Sequence, residues 1–335
     1  MRLQYYLLRR LLLAIPMFLI VVSAVFVVMH IIPGDPVRAM LGERAPAEAV
    51  EALRHTLGLD KPIYLQYSGY LWNLVRGDLG TSLFTLRPVS VEVLYAFPVT
   101  FELVTVSMLV STAIGIPLGI YSAIKRGRIA DFVIRAVSLL GFSVPVFWLA
   151  LMLQWYFGRA LNILPLESRL SFSTQLTRIT GVVILDSILT MNFAALIDGL
   201  AHLVMPAIAL SAIMVPLISR VTRSNMIEVM GEDYMVTAKS KGLSASKVIY
   251  KHAFRNAILP IFTVVGVYYA LGMGGAVLTE TIFNFPGMGK LLLDSIARRD
   301  YLLIQGCVTM YAIAIIIITT LIDVIYAFLD PRVSS

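Results

Sequence analysis

Residues 311–328 read YAIAIIIITTLIDVIYAF, with Asp323 as their only charged side chain. A helix needs about 20 mostly apolar residues to cross a hydrocarbon core of about 30 Å. With its flanks, 305–329, this stretch is long enough. A barrel strand needs only about 9–11 alternating residues, and the run neither stops nor alternates at that length. Working outward, five more stretches qualify: 11–32, 100–122, 134–157, 200–219 and 258–281. Composition agrees: 59% of the chain is hydrophobic and 14% charged, against roughly one quarter charged in soluble domains. Many residues must therefore face lipid. The expected fold class is all-α, a polytopic membrane protein with six transmembrane helices.

The first stretch reads as an anchored helix rather than a cleaved signal. It follows Arg9-Arg10, runs about twice as long as a signal core, and ends without a small-residue cleavage pattern. With six spans both termini lie on one side. Placing them inside puts Arg2, Arg9, Arg10, Arg135, Arg220, Arg223, Lys239, Lys241, Lys247, Lys251, Arg255 and Arg332 on the cytoplasmic side, together with the short turn Lys125-Arg-Gly-Arg128. That density follows the positive-inside rule. The net charge of +7 is thereby spent on topology, and nucleic-acid binding is set aside. The single cysteine, Cys307, sits in an apolar run and reads as a small buried side chain.

Three regions follow: 1–32 as cytoplasmic start and first span, 33–98 as a partly helical outer segment, and 99–335 as a five-helix core. Within the outer segment, Ala47–Leu57 reads as a helix stopped by Gly58, and Pro62–Val75 as a second. The core carries outer segments 158–199 and 282–304, the first with a weak amphipathic stretch near 182–197 and the second with a helix over Lys290–Arg298. These are too substantial for plain connectors and suit a lid or a docking surface for an external partner.

The longest inner loop, 220–257, is the informative one. It predicts a short helix from Asp233 to Lys241, with Lys239 and Lys241 where a helix C-terminus favours cations. Gly242 supplies a left-handed stop. Ser244 is placed to cap a second helix carrying Lys247, Lys251 and Arg255. From the residues alone two readings stay open, a solvated hairpin and a docking knob.

A set of ordered motifs bears on that choice. Gly231-Glu-Asp-Tyr-Met-Val-Thr-Ala-Lys-Ser-Lys-Gly-Leu243 is followed by His252-Ala-Phe-Arg-Asn-Ala-Ile-Leu-Pro260. Around them stand His30-Ile-Ile-Pro-Gly-Asp-Pro36, Leu57-Gly-Leu-Asp-Lys-Pro62, Gly77-Asp-Leu-Gly-Thr-Ser82, Pro145-Val-Phe-Trp148, Thr279-Glu-Thr-Ile-Phe283 with Pro286-Gly287, Arg298-Arg-Asp-Tyr301 and Asp330-Pro-Arg332. In this order, over nearly the whole chain, they resemble the B-type permease subunit of dipeptide and oligopeptide ABC importers, in the peptide/nickel branch. One departure from the broad importer motif is that Thr237-Ala238 replaces its opening and Pro260 lies 18 positions after Gly242; the longer spacing resembles the peptide branch.

The resemblance implies the type I ABC importer permease fold in a prokaryotic cytoplasmic (inner) membrane. It implies a second permease subunit, two cytoplasmic ATPase subunits using ATP and Mg, and an extracytoplasmic substrate-binding protein delivering short peptides. The chain itself is then non-catalytic and binds no cofactor. Glu232, Asp233, Tyr234, Thr237, Ala238, Lys239, Lys241, Gly242, Leu243 and Ser244 would couple to an ATPase, with His252, Arg255, Asn256 and Pro260 supporting the loop. Dipeptide is favoured over longer peptides, glutathione, nickel chelates or haem because the pattern is nearest that branch.

Acidic groups within spans are costly and usually face protein or water. Glu102, Glu280 and Asp323 are therefore read as helix–helix hydrogen-bonding or pore-wall groups, with direct substrate or gating contact as the alternative. Pro145 and Pro206 are expected kinks, and Phe142, Phe147, Trp148 and Trp155 are expected packing or interface anchors. His30, His55 and His202 form no metal-like spacing. Pro286-Gly-Met-Gly-Lys290 lacks the Gly and Ser/Thr that a phosphate loop needs. A secondary transporter would call for an internal repeat, and none is evident between 11–157 and 200–329.

Overall fold

A computed structural model describes residues 3–31, 35–42, 44–56 and 58–329, without the side chains of 3–9, 11, 36, 39, 40 and 326–329. Arg2, Pro33, Gly34, Leu57 and Asp330-Pro-Arg332 lie outside the described residues. The described chain is helical: α1 Leu3–Ile31, α2 Pro36–Leu41, α3 Ala47–Thr56, α4 Ile63–Val75, α5 Val89–Ile124, α6 Ile129–Ser143, α7 Val146–Leu153, α8 Val183–Leu189, α9 Phe193–Met230, α10 Asp233–Ser240, α11 Arg255–Gly275, α12 Val277–Ile282, α13 Met288–Arg298 and α14 Tyr301–Leu329. π-wound turns extend α7 over Gln154–Ala160 and precede α11 over Lys247–Phe254.

Among the described residues five helices are long and apolar enough to cross a membrane, within Leu12–Ile31, Val89–Ile124, Phe193–Met230, Lys247–Gly275 and Tyr301–Ile325. The stretch expected as one span at 134–157 is broken. α6 and the extended α7 meet at 93°, and count as a sixth span only if the pair is one. Pro145 is the cause, because a proline drives the residue before it out of helical geometry; Val144 sits at φ −76°, ψ 124°. At Pro206 the helix is not broken: α9 continues through it from Phe193 to Met230. The stretch expected to continue to 281 also stops earlier, with α11 ending at Gly275.

α5 and α9 are the central pair. Ser107, Ser111, Gly115, Gly119 and Ala123 recur every four residues along α5 and are all buried. A Cβ on Gly115 would lie 3.0 Å from the Val215 carbonyl, and one on Gly119 would lie 2.6 Å from that of Ser219. Small residues at this spacing let two backbones approach closely in a membrane, where lipid offers no hydrophobic drive for association. Around the pair lies one core cluster that includes Leu103, Met205, Leu210, Met273, Phe283, Phe285 and Met288.

α1 packs on α14 at the edge, joined by Arg10 and Asp323 at 2.8 Å. α4 folds back over this pair: Tyr67 bonds Ser23 at 2.5 Å, Tyr70 bonds Thr309 at 3.3 Å, and Phe26 packs on both tyrosine rings. α3 ends before Gly58, whose φ of +67° makes the stop.

Candidate functional site

The inner loop is shorter than its sequence implies. α9 continues to Met230, and the expected second short helix is a π-wound extension that runs straight into α11. The helix does start at Ala245, directly after Ser244, whose carbonyl accepts from the Val248 N–H at 3.0 Å; what is corrected is its being short and separate, since it is continuous with α11. Nothing in this stretch breaks a helix, so the spacing cannot mark a boundary. What remains between two long helices is α10 and one tight turn.

α10 lies with one side against the protein. Met235 and Ala238 are buried, and Met235 joins Ile120, Ala123, Met226, Val248, Ala253, Ala257 and Ile261 in a second core. Ala238 therefore packs inward and is not free to meet a partner. Glu232, Asp233, Tyr234, Thr237, Lys239, Lys241, Gly242 and Ser244 are exposed, and Leu243 is half-buried against the second core. Glu232 takes the N-cap position and Asp233 the first turn, which suits the positive end of the helix. Gly242 has φ +71° with nothing within 4 Å of a built Cβ, so it is there for its backbone geometry and not for space.

One side-chain bond locks α10 to the foot of α11, and a second steadies its donor within the helix that continues into α11. Asn256 Nδ2 donates to the Tyr234 hydroxyl and to the His252 carbonyl, each at 2.9 Å. His252 is half-buried, while Arg255 and Pro260 are exposed. Beneath the turn is a recess of about 370 Å³ lined by Ile124, Met230, Met235, Lys239, Leu243 and Val248, among others.

A junction that the sequence does not reveal stands beside it. Asp131, 1% exposed, accepts two bonds from Arg223 at 2.7 and 2.9 Å, one from Ser122 at 2.6 Å and one from the Gly127 N–H at 3.0 Å. This ties α5, α6 and α9 at one end. The only sequence signal was an acid in the first turn of a helix, which usually marks a solvated cap.

The other end is closed by three acids. Glu102 accepts from Arg169 at 2.5 Å and from the Ile184 N–H at 2.7 Å, holding the 158–199 segment to α5. Asp198 accepts from the Ser171 N–H and hydroxyl, both at 2.7 Å. Burial of Asp186 works against its charge, but bonds from the Thr180 hydroxyl and N–H, 2.6 Å each, and from the Gly181 N–H hold it below the usual carboxylate range.

Glu280 is fully buried and accepts from the Thr100 hydroxyl and from the Lys290 N–H at 3.0 Å. Thr100 in turn accepts from the Met288 N–H at 2.8 Å. A carboxylate thus caps α13 from beneath and joins it to α5. Asp300 does the same between Ser82, 2.5 Å from it, and the start of α14, through the Leu303 N–H at 3.2 Å. Pro145 marks the bend, and Trp148 lies 49% exposed on the outer surface of α7 with Phe142, Phe147 and Trp155 similarly open.

The arrangement is a membrane scaffold with one exposed helical turn at one end and a hydrogen-bonded cap at the other. Residues 115–335 match the family described as binding-protein-dependent transport system inner membrane component, and 3–104 match its N-terminal companion. The chain belongs to this family. It is 43% identical over 327 residues to the di/tripeptide transport system permease protein DppB of Pseudomonas aeruginosa, covering 97% of each chain. It is 42% identical to the dipeptide transport system permease protein DppB of Escherichia coli, covering 98% of each. The glutathione transport system permease protein GsiC of Salmonella choleraesuis is 35% identical, again over 98% of each.

Proposed function

We propose that this chain is one of two permease subunits of an ATP-driven importer for dipeptides and short peptides, with the type I importer permease fold and six spans. Full-length similarity to two dipeptide permeases at 42% identity or more is the observation that carries the substrate class. The sixth span is the bent α6–α7 pair. Bonds from its start to Arg223 near the end of α9, and from Gln154 near its far end to the Ile282 carbonyl at 3.0 Å, support reading the pair as one span.

The exposed α10–Gly242 turn sits in a groove of a cytoplasmic ATPase subunit. ATP-driven closure of the ATPase pair moves the turn, and α9 and α11, which flank it, carry the motion into the bundle. A second permease completes the pore, and an external binding protein delivers peptide to the outer cap. Both termini are cytoplasmic. The chain contributes no covalent chemistry; ATP and Mg belong to the partner subunits. Lys239 and Lys241 would meet acidic or polar groups on the ATPase.

The test is ATP-dependent uptake of a labelled dipeptide by the complex in liposomes. Uptake that requires both the binding protein and ATP supports the proposal. Assembly and hydrolysis without dipeptide uptake would remove the substrate class, and glutathione would be the next substrate to try, given GsiC.

A further inference from the structure

Three stretches of the outer region have no role in the mechanism so far: Gly77–Ser82, Thr279–Gly287 and Arg298–Tyr301. The structure bonds the first to the third and sets the end of the second on a recess beside the loop that follows the first. Asp300 accepts from the Ser82 hydroxyl and the Leu83 N–H, and an isolated bridge joins Thr81 to Pro88. These bonds fix the loop that carries Thr85 and Arg87. Glu280 fixes the start of α13, and with it Lys290 and Asp294. The two fixed pieces border, beside the first turns of α5, a recess of about 340 Å³ that is open to the outside.

Its walls hold both signs of charge. Arg87 and Lys290 are the cations, and Glu92 and Asp294 the anions, with Tyr95 and Leu291 between them. The internal pairing is partial: Lys290 lies 3.7 Å from Asp294, and Thr85 donates its hydroxyl to Glu92. Arg178 lies 3.5 Å over the Tyr95 ring and bonds the Tyr95 carbonyl, holding that ring as a fixed aromatic wall. The N–H of Met288 is taken by Thr100 and that of Lys290 by Glu280. A ligand here would be recognised by side chains.

We infer that this recess is a way-station for a zwitterionic short peptide entering from the outer face. Its carboxylate sits on Arg87 and Lys290, its ammonium faces Glu92 and Asp294, and one side chain rests on Tyr95. Small-ligand sites start near 300 Å³ and use a few placed polar groups, which matches a dipeptide better than a longer chain. The inference rests on the peptide-import proposal and adds the residues that hold the cargo.

The experiment uses the whole complex with its binding protein in nanodiscs and a dipeptide bearing a diazirine on its side chain. After irradiation, the labelled residues are mapped by mass spectrometry. Label on the Tyr95 and Leu291 peptides, competed by excess unlabelled dipeptide, is the expected result. Arg87→Gln should lower it about tenfold, and Arg87→Lys should restore most of it. Glu92→Gln tests the opposite wall in case the Arg87 variant does not assemble. Label confined to other parts of the complex, or unchanged by both variants, overturns the way-station while dipeptide uptake by the native complex keeps the import proposal. No uptake by the native complex overturns both.

Discussion

The Asn256 side-chain amide and the Tyr234 hydroxyl lie 2.9 Å apart, and their bond makes α10 and the foot of α11 one body. A force applied to the exposed turn is then passed to a span instead of being absorbed by a swivelling loop. Tyr234→Phe removes that bond while keeping the ring, at a cost of about 0.5–1.5 kcal/mol. The complex should assemble and hydrolyse ATP but import less peptide per ATP. A ratio equal to that of the parent would show that the link carries no motion.

Asp131 and Arg223 form the second joint, between α6 and α9. Breaking a fully buried pair from one side costs about 3–5 kcal/mol; here Arg135, 3.4 Å from Asp131, stays behind, so the loss should fall below that range. Arg223→Ala should therefore lower the thermal stability of the solubilised complex more than Asp131→Asn, which removes the charge. A double-mutant cycle reads the coupling directly.

The α5–α9 contact predicts a sharp contrast between two glycines. Gly119 is closed off by Thr222 and the Ser219 carbonyl, whereas a Cβ on Gly141 would meet Pro216 at an ordinary 3.8 Å. Gly119→Ala must push backbone or Thr222 aside and should cost roughly 1–3 kcal/mol, while Gly141→Ala should change the melting temperature little. Equal effects at the two sites would mean the helices are less close than they are here.

Asp186 gives a pH dependence to the outer cap. Its folded carboxyl is held below its ordinary range, so its stabilisation is complete above the unfolded value of about 3.9 and is lost as pH falls through the lower folded value. Hydrogen exchange at Thr180–Val183, expressed relative to the intrinsic rate of an unprotected amide at the same pH, should be constant between about pH 5 and 7 and rise only in stronger acid. Asp186→Asn should raise it already at neutral pH, by the equivalent of about 1–3 kcal/mol.

The spans were legible because lipid imposes a length and an apolarity that few other structures need. Gly58 and Gly242 were legible as stops because their positive φ, +67° and +71°, favours glycine. The bend at Pro145 was half legible: a proline in a span allows either a break, as there, or an uninterrupted helix, as at Pro206, and the neighbours decide. The joints were not legible. Asp131 and Arg223 are separated by 92 positions, and Ser82 and Asp300 by 218. No local spacing encodes such pairs. The four-residue stripe from Ser107 to Ala123 was present to be read, but small residues inside a long apolar run are easily passed over.

Gly242→Pro tests the coupling role of the inner turn most directly. Proline holds φ near −65° and has no N–H, whereas Gly242 sits at +71° and donates its N–H to the Lys239 carbonyl at 3.0 Å. The measurement is labelled dipeptide uptake and ATP hydrolysis by the reconstituted complex, parent beside variant. An assembled variant that loses uptake is the predicted result. An assembled variant that imports peptide at the parent's rate would contradict it.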